Sequence, residues 1–222
     1  MLRLIRFPYS TNVERVALAL AYKGLDAEPV VIDPDDRSGV RARSGQDLVP
    51  VLELDDGEVL SGSLDIVTHL EERFPDPPLL PRDPARAEEV RVFCDWFDRV
   101  WKIAPNALAD AIDAGRDPQE PELRAWAAEL CGSLDRLNAL VTGRSHLLGE
   151  DFGLADVAVF PFLRYGVRLH DEDVETFHRI LAEHLRLEPR HARLRLWIER
   201  VEARPRAGLA PVIGADSATA GS

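Results

Sequence analysis

Cysteine and lysine are nearly missing from this chain, and the shortage narrows the reading. Only Cys94 and Cys131 occur in 222 residues, with neither a CxxC pair nor a metal-ligand spacing. That excludes a disulfide framework and a redox dithiol, and both thiols are expected in the core. Lys23 and Lys102 are the only lysines; the remaining basic residues are arginine beside abundant Ala and Asp, a bias of GC-rich codons. Positive charge is scarce too. With 39 acidic residues against 27 basic ones the net charge is −12, which repels phosphate backbones and anionic lipid, so no nucleic-acid partner is expected. No apolar run approaches the roughly 18 residues of a membrane span, and Met1 to Arg6 is too short and charged for a signal-peptide core. The expectation is a soluble cytoplasmic protein with no membrane partner. His69, His146, His170, His178, His184 and His191 form no HxxxH or HExxH pair, so no metal site is expected. What is present, 45% hydrophobic and 30% charged residues, is a globular composition able to bury one or two cores.

The first part of the chain alternates in character. Leu2–Phe7 and Glu28–Ile32 read as strands around a helical segment, Thr11–Lys23. Val49–Leu54 and Glu58–Leu60 flank Asp55-Asp56-Gly57, which suits a tight hairpin. A helix from Gly62 to Phe74 follows, and the state of Arg37–Arg43 stays open. This order predicts a mixed sheet covered by helices over residues 1–76. The proline-dense run Phe74 to Pro81 cannot continue a helix and places a linker at 77–84. From 85 to 210 the pattern is helical throughout. Val90, Phe93, Cys94, Phe97, Val100, Trp101 and Ala104 share one helix face, and Leu123–Leu140, Leu154–Leu169, Val174–Leu185 and Ala192–Ala203 are further helices. His170-Asp171-Glu172-Asp173 reads as a helix start. Residues 211–222 are small and polar and are expected to form a disordered tail.

The segment Pro8-Tyr9-Ser10-Thr11-Asn12-Val13-Glu14 carries the most chemistry. Thr11 and Glu14 have capping-box spacing, which makes Thr11 the N-cap of a helix starting at Asn12. Ser10 then stands directly before the unpaired N–H groups of a helix N-terminus, where an anion such as a thiolate is stabilised. Plain turn and cap roles for Ser10 and Thr11 fit the same spacing. Pro50 by itself reads as a strand-start residue.

Residues Ser10 to Leu25, ending in Lys23-Gly24-Leu25, resemble the first active-site helix of the glutathione transferase superfamily, and the resemblance covers nearly the whole chain. It implies an α/β thioredoxin-like N-terminal domain followed by an all-α helical-bundle C-terminal domain. Ser10 matches the catalytic position, with Tyr9 as the neighbouring alternative and Thr11 and Asn12 completing the site. Leu48-Val49-Pro50-Val51-Leu52 resembles the element in which a cis proline follows a residue whose backbone pairs with glutathione. Leu60-Ser61-Gly62-Ser63 resembles the Glu-Ser signal that holds the γ-glutamyl carboxylate; Ser63 matches, and Gly62 departs from the usual acid or amide. Phe152-Gly153-Leu154-Ala155-Asp156 resembles the C-terminal folding motif, with a structural Asp156 and with Gly153 in place of the capping hydroxyl. The ending Trp197 to Pro205 is also typical. The resemblance implies glutathione as co-substrate, a small hydrophobic electrophile, a homodimer and a role in detoxification. It also implies a substrate pocket on the helix bearing Phe97 and Trp101, for which core or dimer contacts are the alternative. Arg41, Arg43 and Gln46 read as solvated surface. Three further readings stay open: a non-catalytic binding module, another low-molecular-weight thiol, and a different reaction such as isomerisation, dehalogenation or peroxide reduction.

Overall fold

The computed structural model describes residues 1–209; the tail expected at 211–222 lies outside the described residues. Strands β1 (Leu2–Arg6), β2 (Ala27–Val31), β3 (Val51–Glu53) and β4 (Val59–Ser61) form one sheet in the order β2-β1-β3-β4. β1 and β2 are parallel, and a parallel pair needs a crossover, which is α1 (Thr11–Tyr22). The pairs β1–β3 and β3–β4 are antiparallel. At the β3–β4 turn Gly57 takes φ 89°, a conformation an L side chain resists, while Leu54 N–H donates to the Glu58 carbonyl at 2.8 Å. The stretch left open by the sequence forms α2 (Ser38–Ser44), and α3 (Ser63–Arg73) closes the unit.

The rest of the described chain is helical: α4 (Pro84–Trp96), α5 (Ile103–Asp113), α6 (Pro121–Leu140), α7 (Leu154–Leu163), α8 (Thr176–His184) and α9 (Ala192–Glu202). A thioredoxin-like sheet unit is thus followed by a helical bundle. α1 lies between the two, in contact with both α3 and α7, and is buried without interruption from Val13 to Leu20. No helix among the described residues is long and apolar enough to cross a membrane.

Several local expectations change. The stripe from Val90 to Ala104 is not one helix: α4 passes into a π turn at Phe97–Trp101 before α5 begins. The π turn adds a residue to one turn without breaking the rod, and Phe97 and Trp101 stay on the buried face with Val90 and Cys94. α7 stops at Leu163 instead of Leu169, and a short 3-10 turn, Arg164–Gly166, follows. A Cβ on Gly166 would stand 2.1 Å from the Leu185 carbonyl oxygen, so only glycine allows that approach. His170 to Asp173 is a loop and not a helix start, with α8 opening at Thr176. Cys94 is buried, which drives its thiol up to about 12, but Cys131 is exposed. It sits beside the buried stripe Leu123, Leu130, Leu134, Leu137 of α6 and points the other way.

Asp156 fixes the start of α7. Its carboxylate accepts from Leu147 N–H at 3.0 Å, Gly153 N–H at 2.9 Å and Trp197 Nε1 at 2.6 Å. Asp156→Ala leaves three inward donors without an acceptor. The expected cost is about 3 kcal/mol or more, read by thermal unfolding as a Tm lower by roughly 6–12 °C; a shift under about 2 °C would refute this role.

Candidate active site

The strand register gathers the sequence-predicted residues at one edge of the sheet. Ile5 of β1 pairs with Val51 of β3, and Val51 pairs with Ser61 of β4. One step beyond that row lie the turn Phe7–Ser10, the segment Val49–Pro50 and the start of α3 at Gly62–Ser63. The Val49–Pro50 bond is cis. Gln46 props the residue before it, accepting from Leu48 N–H at 2.5 Å and donating to the Leu48 carbonyl at 2.7 Å. Neither main-chain group of Val49 has a partner among the described residues. Arg41 and Arg43 pair with Asp47 and Glu53.

The helix begins one residue earlier than the capping-box spacing predicts. Ser10, not Thr11, is the N-cap, with φ −60° and ψ 117°, and Thr11 is a buried first-turn residue. The Ser10 hydroxyl accepts weakly from Val13 N–H at 3.4 Å. Glu14 does not reach back to the cap, because Arg164 Nη1 and Arg206 Nη2 hold its carboxylate at 2.7 and 2.9 Å. Tyr9 has φ 60°, a positive value found at no other non-glycine residue among those described. For a bulky L residue that conformation costs about 1–2 kcal/mol. Its phenol donates to Glu172 Oε2 at 3.0 Å, and this bond raises its pKa, so the hydroxyl stays protonated and turned toward Glu172.

At α3, Ser63 is buried and already bonded: Arg15 Nη1 donates to its oxygen at 3.1 Å and its hydroxyl donates to Asn12 Oδ1 at 3.3 Å. A carboxylate arriving there meets the free first-turn N–H groups of α3 before the hydroxyl. Gly62 takes φ 86°, and a Cβ on it would stand 2.5 Å from Asp65 Oδ2. The Asp65 carboxylate thus fills the space that a side chain at position 62 would enter.

Arg15 and Asp98 were not singled out by the sequence reading. The Arg15 guanidinium is fully buried; it donates to Asp98 Oδ1 at 2.7 Å, the Ala158 carbonyl at 2.8 Å and Asn12 Oδ1 at 3.3 Å, besides Ser63. Phe162 lies face-on to it at 4.7 Å. Its mid-helix position beside Glu14 gave no signal distinguishing it from a surface arginine.

Ser10 and Tyr9 line a cavity of about 600 Å³ together with Phe7, Pro8, Val13, Arg6 and Arg164. Arg6 Nε is buried there with no partner among the described residues. Phe97 and Trp101, expected on a substrate pocket, do not line this cavity. Phe97 has no exposed surface and stacks on Trp101 at 4.4 Å, and the Trp101 indole donates to Ser133 at 2.9 Å. Both are core residues.

A thioredoxin-like unit with a cis proline at the head of β3, a serine-capped α1 and a helical partner defines a thiol-handling α/β-plus-helical class. The family model for the glutathione S-transferase N-terminal domain matches residues 4–78. Maleylacetoacetate isomerase of Pseudomonas aeruginosa is 33% identical over 186 residues, covering 76% of this chain and 84% of the relative. Glutathione S-transferase Z1 of Arabidopsis thaliana is 40% identical over 185 residues, covering 79% and 82%. A glutathione S-transferase of Methylobacterium radiotolerans, solved in complex with glutathione sulfonate, has a TM-score of 0.67 at 30% identity, covering 92% of this chain and 91% of that one. This chain belongs to the glutathione S-transferase family and is a glutathione-S-transferase-like enzyme.

Burial pushes the Asp98 carboxyl up, but the bond and charge of Arg15, with Lys102 nearby, outweigh it and leave its pKa below the usual range. A depressed native value means that the stabilisation is complete above about pH 4 and is lost as pH falls through the native value. Denaturant titrations between pH 2 and 5 are expected to show a shallower acid loss for Asp98→Asn than for the parent chain; parallel curves would contradict the pairing.

Proposed function

We propose that the chain binds glutathione along the Val49–Pro50 and Gly62–Ser63 edge and activates its thiol through Ser10 for attack on a small electrophile. The observation that carries this reading is the convergence, set by strand register, of a serine-capped helix N-terminus with the partnerless main chain of Val49 and the free first turn of α3. Glutathione, when bound, supplies the nucleophilic sulfur. The chain's own part is to hold it and bias its ionisation. Val49 N–H and C=O offer a peptide-like pair to the cysteinyl unit. The α3 amides take the γ-glutamyl carboxylate, and Asp65, which has no partner among the described residues, takes the ammonium. The Ser10 hydroxyl keeps one hydrogen to give to the sulfur while its oxygen accepts from Val13 N–H. Lowering a thiol pKa by two units from near 8.5 requires about 2.7 kcal/mol of preference for the thiolate, within reach of one hydroxyl and a helix N-terminus. Tyr9, its hydroxyl given to Glu172, is the weaker candidate for this role.

The relatives named maleylacetoacetate isomerase support a thiol-dependent cis–trans isomerisation, in which the thiol is returned unchanged. The cavity beside Ser10 suits such an electrophile: apolar side chains of Phe7, Pro8 and Val13 stand beside Arg6, whose Nε has no partner among the described residues. Assembly as a cytoplasmic homodimer belongs to the same reading. Exposed Val92 of α4, Val100 of the π turn and Ile103 of α5 give it apolar surface to bury.

Titration calorimetry with glutathione is expected to give micromolar to low-millimolar affinity, weakened roughly three- to tenfold by Asp65→Asn, or about 0.7–1.4 kcal/mol. Ser10→Ala is expected to raise the pKa of the bound thiol, followed by thiolate absorbance, by one unit or more; an unchanged titration removes Ser10 from the mechanism. Arg6→Leu is expected to raise KM about tenfold for a carboxylate-bearing electrophile and to leave that for neutral 1-chloro-2,4-dinitrobenzene within twofold. Equal effects on both would dissociate Arg6 from the electrophile.

A further inference from the structure

Between α7 and the first turn of α8 lies a buried polar group. The Tyr165 hydroxyl crosses to the β1–α1 turn and stands 3.2 Å from the Tyr9 carbonyl oxygen and 2.9 Å from Asp173 Oδ2. Asp173 Oδ1 in turn meets His178 Nδ1 at 2.9 Å, and the Tyr165 and His178 rings stack at 4.6 Å. All three residues are at least nine-tenths buried. A phenylalanine and a leucine would fill the same volume without the desolvation of a carboxylate, so core packing alone does not explain the group. Outside itself the group meets Glu175 N–H, which donates to Asp173 Oδ1 at 3.4 Å just ahead of α8, and the one strained turn of the described chain, at Tyr9, immediately before Ser10. Two more contacts converge on that residue from the same loop: Glu172 takes the Tyr9 hydroxyl, and the His170 ring lies 5.5 Å from the Tyr9 ring.

We infer that Tyr165, oriented by Asp173 and His178, is a positioning residue that holds Tyr9 in its left-handed conformation and so keeps Ser10 at the cap of α1. The phenolic hydrogen is shared between two acceptors. The Asp173 carboxylate fixes the rotor, and the Tyr9 carbonyl is pinned by the other arm of the same bond. Burial beside Asp173 drives the Tyr165 hydroxyl well above its ordinary value, so it remains a donor at any working pH. Without this arm Tyr9 is free to relax to negative φ, and the Ser10 hydroxyl leaves the end of the helix. The device makes the geometry of the thiol-activating turn depend on the helical half of the chain. It rests on the reading of Ser10 given above for its catalytic consequence, but not for the conformational one.

The test is Tyr165→Phe in the full chain, read in three ways. Hydrogen exchange at the Val13 and Glu14 amides, which bond to Ser10, is expected to accelerate at least tenfold, while the Leu18 and Leu20 amides in the same helix change less than twofold. The kcat with 1-chloro-2,4-dinitrobenzene is expected to fall about tenfold, with KM for glutathione within twofold. In a Tyr9→Gly background, where positive φ carries no strain, the same substitution is expected to change kcat less than twofold. Unaltered exchange at Val13 and Glu14, or an equal loss of kcat in both backgrounds, overturns the inference. Should Tyr165→Phe fail to fold, Asp173→Asn removes the grip on the rotor and is expected to give the same local exchange. Accelerated exchange combined with a Ser10→Ala thiol titration like that of the parent refutes the Ser10 reading and supports the clamp.

Discussion

A fully buried guanidinium is the constraint from which much of this structure follows. Arg15 lies in the middle of the helix that both halves of the chain pack against, and a charge removed from water must have nearly all its donors met. Four of them reach four different places: the start of its own helix at Asn12, the first residue of α3, the π turn after α4 and the main chain of α7. These segments cannot shift independently without leaving a donor bare. The π turn makes sense in this light, since it carries both Phe97, packed near the guanidinium, and Asp98, its counter-ion.

The fold was legible because its strongest signals are local. Strand alternation, an Asp-Gly turn and a proline-dense break depend on neighbours in sequence, and they located β1 to β4 and α3 within a residue or two. The placement of Val49, Pro50, Gly62 and Ser63 on one edge follows from those strands. What was not legible depends on partners far along the chain. Thr11 and Glu14 have the spacing of a capping box, yet Glu14 is claimed by Arg164 and Arg206, 150 and 192 residues away, and Ser10 takes the cap. Phe97 and Trp101 have the spacing of a pocket wall, but Phe162 and Ser133, far along the chain, cover that face and make it core. The acidic run at 170–173 was read as a helix start because its charges were referred to their own segment, whereas Glu172 and Asp173 act on Tyr9 and Tyr165.

Of the two glycines that depart from the family pattern, Gly62 answers to Asp65 in its own helix and Gly153 to a distant contact. At Gly153 a Cβ would stand 2.8 Å from the carbonyl oxygen of Leu79 in the linker. A serine or threonine cap cannot fit, and it is not needed, because that same carbonyl accepts the first N–H of α7 at 2.8 Å from Leu154. Capping has passed from a side chain on the helix to the main chain of the linker. The linker is itself held by Glu71, which accepts from the Leu79 and Leu80 amides and pairs with Lys23 at the end of α1. The start of α7 is thereby tied to the ends of α1 and α3, while Arg15 ties its middle, through the Ala158 carbonyl, to their beginnings. α7 then delivers Arg164 to Glu14 and Tyr165 to the turn at Tyr9. Gly153 and the turn before Ser10 are thereby joined through one helix fixed at both ends.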